Sequence, residues 1–417
     1  MSVVAARSLS ARGVSVISCD CVDFTAASFS KFTDDSFVHA NPDEDLEDYL
    51  DSLVKEIERR KPASGEPYVL IPMFQDTRLL AEHRSVFDGL ITLAAPPFDA
   101  INRVDPKHRL LKTLGDLNIP APKTWHPASI SDVEDAVTAV TLPAVLKAVD
   151  EVGGRGVEFF DDRDQLQERT LQRCTREMPP PIIQEAIEGE DYCLCVLYHG
   201  GERLTQMAYK NVHTMPSNGG AGAMRETVDD SVFLSSADAI MAAVGWTGIA
   251  EIDFRWTGNP MDAPQLIEIN PRFWAGLFHS VESGIDFPWS VYELATTGHL
   301  SETPGADVGK RTKVPAMWIA GAVAEAFEQE GPGADAWQKM MHRLRDREFV
   351  SAFKQLRGLF VGANSFQDAV RAISQSLRQA KGATSEIDMQ DAAVCLGVFF
   401  ALSSIARYGR LPDELKS

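Results

Sequence analysis

Two short segments of the sequence carry oxygen-bearing side chains at the spacing of a β-strand. The segment EIDF contains Asp253, and the segment QLIEINPR contains Glu268 and Asn270. Because alternate residues of a strand point to one face, Glu268 and Asn270 share a face, and the Gly-Asn-Pro turn between the segments predicts a hairpin that brings Asp253 beside them. Carboxylate and amide oxygens are the ligands that Mg²⁺ prefers. The apolar flanking residues favour this metal site over a solvated sheet face.

A lysine followed by a glycine-rich loop is the second feature. Lys147 lies in the apolar segment LPAVLKAV, which we predict to be a strand, and a second strand, EFF, follows the loop. The loop contains Gly153, Gly154 and Gly156. A buried ammonium needs an anionic partner, and free backbone N–H groups can close over phosphates, so we predict a phosphate clamp. A glycine-rich loop alone is equally typical of a hairpin turn.

The third feature is the run IIQEAIEGEDYCLCVL, in which an acidic connector joins two apolar strands. Main-chain donors and acceptors exposed in such a connector can bind the edge of an adenine ring, and a carboxylate beyond it can bind ribose hydroxyls. Taken alone, this connector is an ordinary loop.

The elements that must position these groups have α/β patterning. The N-terminal 20 residues read as a helix, a turn at Gly13 and a short strand. The helix DEDLEDYLDSLVKEIERR followed by the strand YVLIPMF repeats that order, which predicts a parallel sheet. A doubly wound domain normally begins with a strand, so we expect a degenerate edge or a start further upstream.

Three domains are predicted from these patterns. An α/β domain occupies residues 1–105 and ends near the proline-rich segment AAPPFDAINRVDP. The three chemical features fall within residues 106–300, where the helix HRLLKTLGDLN precedes the Lys147 strand. Residues 301–417 are mainly helical by pattern.

Composition excludes several classes of protein. The 417 residues include 60 acidic and 40 basic side chains, for a net charge of -20, which opposes binding to nucleic acid and to anionic lipid. Six sparsely placed cysteines suggest a reducing, cytoplasmic location rather than a disulfide framework, and the two Cys-x-Cys pairs favour burial over metal binding. The apolar run AAVCLGVFFALSSIA is too short to span a bilayer, so we predict a buried helix and no stable membrane insertion.

In this order, the chemical segments resemble the ATP-grasp superfamily, which includes D-alanine:D-alanine ligase, biotin carboxylase and carbamoyl-phosphate synthetase. The resemblance covers about residues 100–290 and begins with Lys107. It implies an ATP-grasp fold of mixed α/β and α+β class. It also implies that the first domain is the α/β domain that precedes the grasp in such enzymes, here without its first strand.

For the nucleotide, the resemblance implies that Lys107 and Lys147 contact the ATP phosphates and that the three glycines of the loop cover them. Asp191 would bind the ribose. The adenine hinge would consist of Glu185, Ala186 and Ile187.

For the chemistry, the resemblance implies that Asp253, Glu268 and Asn270 hold Mg²⁺, or Mn²⁺ in its place, and that Arg272 steadies an acyl phosphate. The segment KNVHTMPSNGGAGAMRET, with Lys210 and His213, matches a loop that shapes the acceptor side of ligases. Its Arg225 would hold the transferred phosphate or a substrate carboxylate. His213 is more typical of a surface or packing residue.

The function implied is that of a carboxylate–amine ligase, with a small-molecule carboxylate and amine as partners and with homodimer formation left open. Two alternatives stay open: a biotin-carboxylase-like carboxylase or another phosphotransferase, and a non-catalytic nucleotide-binding protein. The loop EVGGRGV has one glycine fewer than that of biotin carboxylase, which lowers the carboxylase alternative.

Overall fold

The computed structural model describes residues 1–63, 65–127, 129–147, 157–174, 181–215, 221–314, 382–386, 391, 403 and 407. The glycine loop EVGGRGV therefore lies outside the described residues. So do the apolar run AAVCLGVFFALSSIA, apart from Ser403, and nearly all of the predicted C-terminal helices.

Ten α-helices are assigned within the described residues. In chain order they are α1 (Ser2–Ser10), α2 (Leu46–Arg59), α3 (Asp76–Glu82), α4 (Phe98–Val104), α5 (Lys107–Leu117), α6 (Val133–Ala139), α7 (Arg163–Cys174), α8 (Ser231–Val244), α9 (Leu277–Glu282) and α10 (Phe287–Thr297). No helix among the described residues is both long enough and apolar enough to cross a bilayer.

The strands of the described residues alternate with these helices in the first half of the chain and cluster in the second. They are β1 (Ile17–Asp20), β2 (Asp35–Val38), β3 (Val69–Leu70), β4 (Thr92–Leu93), β5 (Thr124–Trp125), β6 (Ala144–Lys147), β7 (Glu158–Phe160), β8 (Ile182–Glu185), β9 (Glu190–His199), β10 (Glu202–Met215), β11 (Ala221–Val228), β12 (Gly248–Trp256), β13 (Gln265–Asn270), β14 (Arg311–Lys313) and β15 (Thr384–Ser385).

The chain divides into two units. The first unit comprises Met1–Val16, His39–Lys210 and Thr227–Gly309, and the second comprises Ile17–Val38, Asn211–Glu226 and Lys310–Ser417. The division predicted at residues 105 and 300 stays a prediction.

The first unit contains two larger sheets. One has the strand order β5-β8-β6-β7, and all its pairings are antiparallel. The other has β13-β12-β9-β10 in antiparallel order. A hydrogen bond of 2.8 Å from the Leu266 amide to the Pro120 carbonyl joins β13 to the segment that leads into β5.

Parallel pairing is present, but the prediction of one parallel sheet is wrong: the two predicted strands lie in separate two-stranded sheets, and one of them is shorter than expected. β3 and β4 pair in parallel within the first unit, and β1 and β2 do so within the second. Of the segment YVLIPMF, only Val69 and Leu70 form a strand. Pro72 has no N–H group to donate to a ladder, and Ile71 and Met73 instead pack against the core.

A large core of the first unit lies on one face of the β9, β10 and β12 ladder, where helices α9 and α10 cover it. It includes Leu197 and Met207 from the strands together with Trp274 and Phe287 from the covering segment. Trp274 and Phe287 are fully buried and meet edge to face, with ring centroids 4.9 Å apart. The candidate site begins where this apolar face gives way to charged side chains.

Candidate active site

One face of the β9 and β12 ladder changes from apolar to charged along its length. The register pairs residues of the two strands directly across the ladder, and alternate pairs share a face. From the core outward, the pairs on this face are Leu197 with Ile249, Cys195 with Glu251, Cys193 with Asp253, and Asp191 with Arg255. The charged groups are therefore anchored on strands whose other end is fixed in the core.

The predicted hairpin of β12 and β13 is confirmed, and it extends this face. Asp253 lies opposite Glu268, and Glu251 lies opposite Asn270. The amide Nδ2 of Asn270 donates to Asp253 Oδ2 at 3.1 Å and to Glu268 Oε1 at 3.4 Å. The three residues predicted from EIDF and LIEINPR thus meet at one point.

The two carboxylates have opposite pKa shifts. Burial, reinforced by the negative charges of Glu251 and Glu268, raises the pKa of Asp253 well above its ordinary value. Burial also raises the pKa of Glu268. The positive charge of Lys107, a hydrogen bond from Asp253 and the positive charge of Lys147 together outweigh burial, so the pKa of Glu268 is lowered. A proton held by the pair therefore favours Asp253 over Glu268.

These carboxylates fit a divalent cation. Asp253 Oδ1 is buried and accepts no hydrogen bond from any described residue, which leaves an acceptor with unused capacity. A cation with oxygen ligands would supply that contact and neutralise the like charges. Asn270 presents its nitrogen to the acids because Arg272 Nη2 donates to its Oδ1 at 3.1 Å, so ligation through that oxygen requires the amide to turn over.

Lys107 is the first residue of α5, and it faces the carboxylates. Its Nζ lies 3.4 Å from Glu268 Oε2. The side chains of both residues remain partly exposed, so an incoming anion can reach this lysine.

Lys147 approaches the carboxylates from the other sheet. It is the last residue of β6, and its Nζ donates to Gln184 Oε1 on β8 at 2.7 Å. Gln184 is held in turn by its own Nε2, which donates to Thr124 Oγ1 at 2.8 Å. Burial lowers the pKa of Lys147 to about 8, although the charge of Glu268 acts in the opposite direction. A phosphate would satisfy this desolvated ammonium.

Arg272 is held beside the carboxylates from two sides. Besides its contact with Asn270, its Nη1 donates to the Phe273 carbonyl at 3.0 Å. Its guanidinium also lies 4.5 Å from the centre of the Phe74 ring. This cation–π contact fixes the orientation of the guanidinium near the site.

The predicted hinge connects β8 to β9. Glu185 Oε1 accepts from the Lys123 amide at 3.0 Å, and the Ala186 amide donates to the Pro143 carbonyl at 2.9 Å. The Ala186 N–H is thus occupied, which leaves carbonyls and later amides of the connector for a base. Gly189 has a φ of +122°, and a Cβ there would collide with the Trp256 carbonyl, so only glycine fits this turn.

A cavity of about 470 Å³ lies between this connector and the β12–β13 hairpin. Its lining includes Ile187 and Glu188 of the connector, Arg255 and Trp256 of β12, and Met261 of the turn. The volume is in the range of small-molecule sites.

Asp253 also belongs to a cluster of possible ligand atoms on the side of the site nearer the core. The ligand atoms of Cys193, Glu251 and Asp253 lie within 4.8 Å of one another, and Tyr209 Oη donates to Glu251 Oε1 at 2.6 Å. Burial and then the two carboxylates raise the pKa of the Cys193 thiol well above its ordinary value, so it stays neutral. Cys193 and Cys195 are both buried, as predicted for this Cys-x-Cys pair, whereas the same prediction is wrong for the other pair, because Cys19 is exposed and Cys21 is half-buried.

The remaining predicted residues take no part in the contacts described above. Arg225 and His213 are buried on β11 and β10 in the second unit, where Arg225 pairs across the ladder with Thr312. Lys210 Nζ lies 3.4 Å from Glu190 Oε2 in the first unit. The predicted roles of Gly153, Gly154 and Gly156 fall outside the described residues.

Sequence reasoning missed four side chains that touch this site: Glu251, Arg255, Gln184 and Phe74. Glu251 and Arg255 each stand two positions from Asp253, so the alternation that links Glu268 to Asn270 also places them on its face. Gln184 and Phe74 carry no comparable local signal, because their contacts join segments far apart in the chain.

Comparisons with known proteins match the central part of this chain to a known domain. A family model described as the ATP-grasp domain matches residues 104–276. The carbamoyl phosphate synthase large chain of Clostridium acetobutylicum is 22% identical over an alignment of 293 residues, which covers 65% of this chain but 26% of that one. This chain thus spans about a quarter of that relative.

Two solved structures share the fold. Biotin carboxylase from Campylobacter jejuni, in a β-γ-ATP complex, aligns with a TM-score of 0.59 and 15% identity over 74% of this chain and 72% of that one. L-amino acid ligase from Bacillus licheniformis aligns with a TM-score of 0.53 and 17% identity over 70% and 71%. The fold class and the resemblance predicted from the sequence are confirmed: residues 104–276 of the chain carry an ATP-grasp domain.

Proposed function

We propose that this chain is an ATP- and Mg²⁺-dependent carboxylate–amine ligase. A carboxylate oxygen of the first substrate attacks the γ-phosphorus of ATP, which forms an acyl phosphate and releases ADP. The amine of the second substrate then attacks the acyl carbon, loses a proton and expels inorganic phosphate, which leaves an amide. The relatives named carbamoyl phosphate synthase and L-amino acid ligase support this reaction class.

The observation that carries the proposal is the meeting of opposite charges from two sheets. Lys147 from one sheet and Lys107 from α5 both act on Glu268 of the other sheet. Such an arrangement can bind phosphate oxygens on the cationic side and a divalent cation on the anionic side.

Within this site, Asp253, Glu268 and Asn270 would hold Mg²⁺, which supplies charge neutralisation for the phosphates, and Mn²⁺ can replace it because it accepts the same oxygen ligands. Lys107 and Lys147 would hold phosphate oxygens. Arg272 would orient the carboxylate or its acyl phosphate through its planar donors. Glu185, Ala186, Ile187 and Asp191 would bind the nucleoside. The role of Arg225 of the second unit, as the group that holds the transferred phosphate or a substrate carboxylate, stays a prediction.

The test is a phosphate-release screen of carboxylates against amines with MgATP, followed by mass measurement of the product. We expect release that requires both substrates and a product whose mass equals their sum less one water. Two outcomes contradict the ligase: phosphate release in the absence of both substrates, and no phosphate release with any pair of a broad panel.

The alternative is a carboxylase, which the likeness to biotin carboxylase supports. Bicarbonate-dependent ATP hydrolysis without an amine would favour it. Nucleotide binding without turnover would instead favour a nucleotide-binding protein.

The proposal extends to location and assembly. The described cysteines are all free thiols, which suits a reducing compartment, so we propose a cytoplasmic location. A homodimer is proposed as the assembly, and light scattering coupled to gel filtration measures it.

A further inference from the structure

Arg255 is a cation of the candidate site that none of the roles above uses. We propose that Arg255 is a specificity-determining residue for the ribose of the nucleotide: it fixes Asp191 and presents further N–H donors to the ribose hydroxyls. The inference rests on the proposed nucleotide site and adds to it a residue that selects a ribonucleotide over a deoxyribonucleotide.

Arg255 and Asp191 form an ion pair with a fixed geometry. Arg255 and Asp191 face each other directly across the antiparallel β12 and β9 ladder, and Arg255 Nη1 donates to Asp191 Oδ1 at 2.6 Å. Among the described residues, nothing else hydrogen-bonds to the Arg255 side chain or to Asp191 Oδ2. The pair therefore holds its own orientation and keeps both donors and an acceptor for a ligand.

The pair lies next to the metal-binding carboxylates and to the cavity. Arg255 stands two residues beyond Asp253 on the same strand face, so the pair is the outermost step of the ladder that carries the metal-binding carboxylates. Arg255 also lines the cavity beside the hinge with Ile187 and Glu188. Both members of the pair are close enough to Lys147 to influence its charge. A nucleotide that spans from hinge to metal must pass this point.

The donors and the acceptor of this pair complement the hydroxyls of a ribose. A ribose presents two neighbouring hydroxyls, each of which can donate one hydrogen bond and accept another. Asp191 Oδ2 can accept from one hydroxyl, while the remaining guanidinium N–H groups donate to its neighbour in a fixed fork. A 2′-deoxyribose lacks one of these hydroxyls and leaves part of this charged fork without its partner.

A solvated ion pair is the ordinary explanation of such a contact, and the same sheet offers one for comparison. Arg203 Nε lies 2.9 Å from Asp238 Oδ1, with side chains 25% and 44% exposed, against 34% and 43% for Arg255 and Asp191. Arg203 lies beside Tyr198, seven positions further along β9. This pair matches the first in distance and exposure but lies away from the cavity.

The experiment measures the dissociation constants of ATP and 2′-deoxyATP with Mg²⁺ by calorimetry. The proteins are the native chain, Arg255→Ala, Arg255→Lys and the matched control Arg203→Ala. We expect the native chain to prefer ATP by about tenfold or more, the size of one charge-assisted hydrogen bond. Arg255→Ala should reduce this ratio towards one, Arg255→Lys should restore part of it, and Arg203→Ala should leave it unchanged.

The ratio separates specificity from damage to the fold, because misfolding weakens both nucleotides alike. If Arg255→Ala keeps the native ratio, or weakens both nucleotides equally, the inference is wrong while the proposed function stands. If the native chain binds neither nucleotide, the proposed function fails and the inference falls with it.

Discussion

Asp253 and Asp238 are two aspartates packed against the same strand, β9, in opposite surroundings. Asp238 on α8 accepts hydrogen bonds from Tyr198 Oη at 2.6 Å and from Arg203 Nε at 2.9 Å. Burial disfavours its charge, but these donors outweigh burial and lower its pKa. Asp253 has two further carboxylates as neighbours and one oxygen to which no described residue donates, and its pKa is raised.

The surroundings of these two carboxylates suit different roles. A carboxylate with two donors stabilises the fold and needs no ligand. A buried carboxylate among like charges costs folding free energy, and such costs cluster at binding sites, where a ligand offsets them. The comparison therefore supports a cation site at the Asp253 end of β9 and a structural ion pair at the other end.

The largest expected effect tests the ligand side of this comparison. Glu268→Gln removes one carboxylate from the cluster while keeping its shape, so phosphate release under saturating substrates should fall about 100-fold or more. The melting temperature should change little. Asp238→Asn is the control and should retain native turnover. Native activity in Glu268→Gln would refute the metal assignment.

A smaller effect is expected from Lys147, whose pKa of about 8 makes its charge depend on pH. The ammonium is mostly protonated at pH 7 and mostly neutral at pH 9, so ADP affinity should weaken by roughly tenfold over that interval. Lys147→Arg keeps its charge throughout, so its ADP affinity should vary much less with pH. Equal pH profiles for the two proteins would remove Lys147 from the phosphate site.

The same pKa has a consequence for stability. It is lowered from 10.5, so the unfolded chain binds more protons than the folded chain between pH 8 and 10.5. The contribution of Lys147 to the free energy of unfolding is therefore unfavourable at pH 7 and improves as the pH rises through that window. Thermal melts of the native chain and Lys147→Met across the window measure it.

The smallest expected effect tests the two aspartates directly, in protein free of metal and nucleotide. Asp253→Asn relieves the crowding of charge and should raise the free energy of unfolding by on the order of 1 kcal/mol, whereas Asp238→Asn should lower it by about as much or less. Chemical denaturation at pH 7 gives both values. The comparison fails if both substitutions change stability in the same direction.

The pH dependence of the two aspartates should also have opposite signs. Because the pKa of Asp253 is raised, its contribution to stability falls as the pH rises above 3.8. The lowered pKa of Asp238 gives a contribution that is present above 3.8 and is lost as the pH falls. In thermal melts between pH 4 and 7, the melting temperature of Asp253→Asn should therefore rise relative to that of the native chain as the pH increases.

Much of the fold was predictable because its signals are local. The alternation in LIEIN and the Gly-Asn-Pro turn were sufficient to predict the hairpin of β12 and β13. The apolar run before Lys147 predicted β6, and the acidic interruption in QEAIEGEDY predicted the break between β8 and β9. The prediction of a long strand in YVLIPMF was wrong, because the apolar residues of this segment indicate burial and Pro72 prevents a long strand.

The residue types, their alternation on each strand and their order can all be read from the sequence, and they identify three oxygen-bearing groups, two lysines and a connector as parts of one ATP-grasp domain. The register of β9 against β12, which sets Asp191 opposite Arg255 and Cys193 opposite Asp253, depends on the folded chain. Folding also brings Lys107 to Glu268 and Phe74 to Arg272. Period and turn chemistry act over a few residues, whereas pairing between distant strands depends on the packing of the whole core.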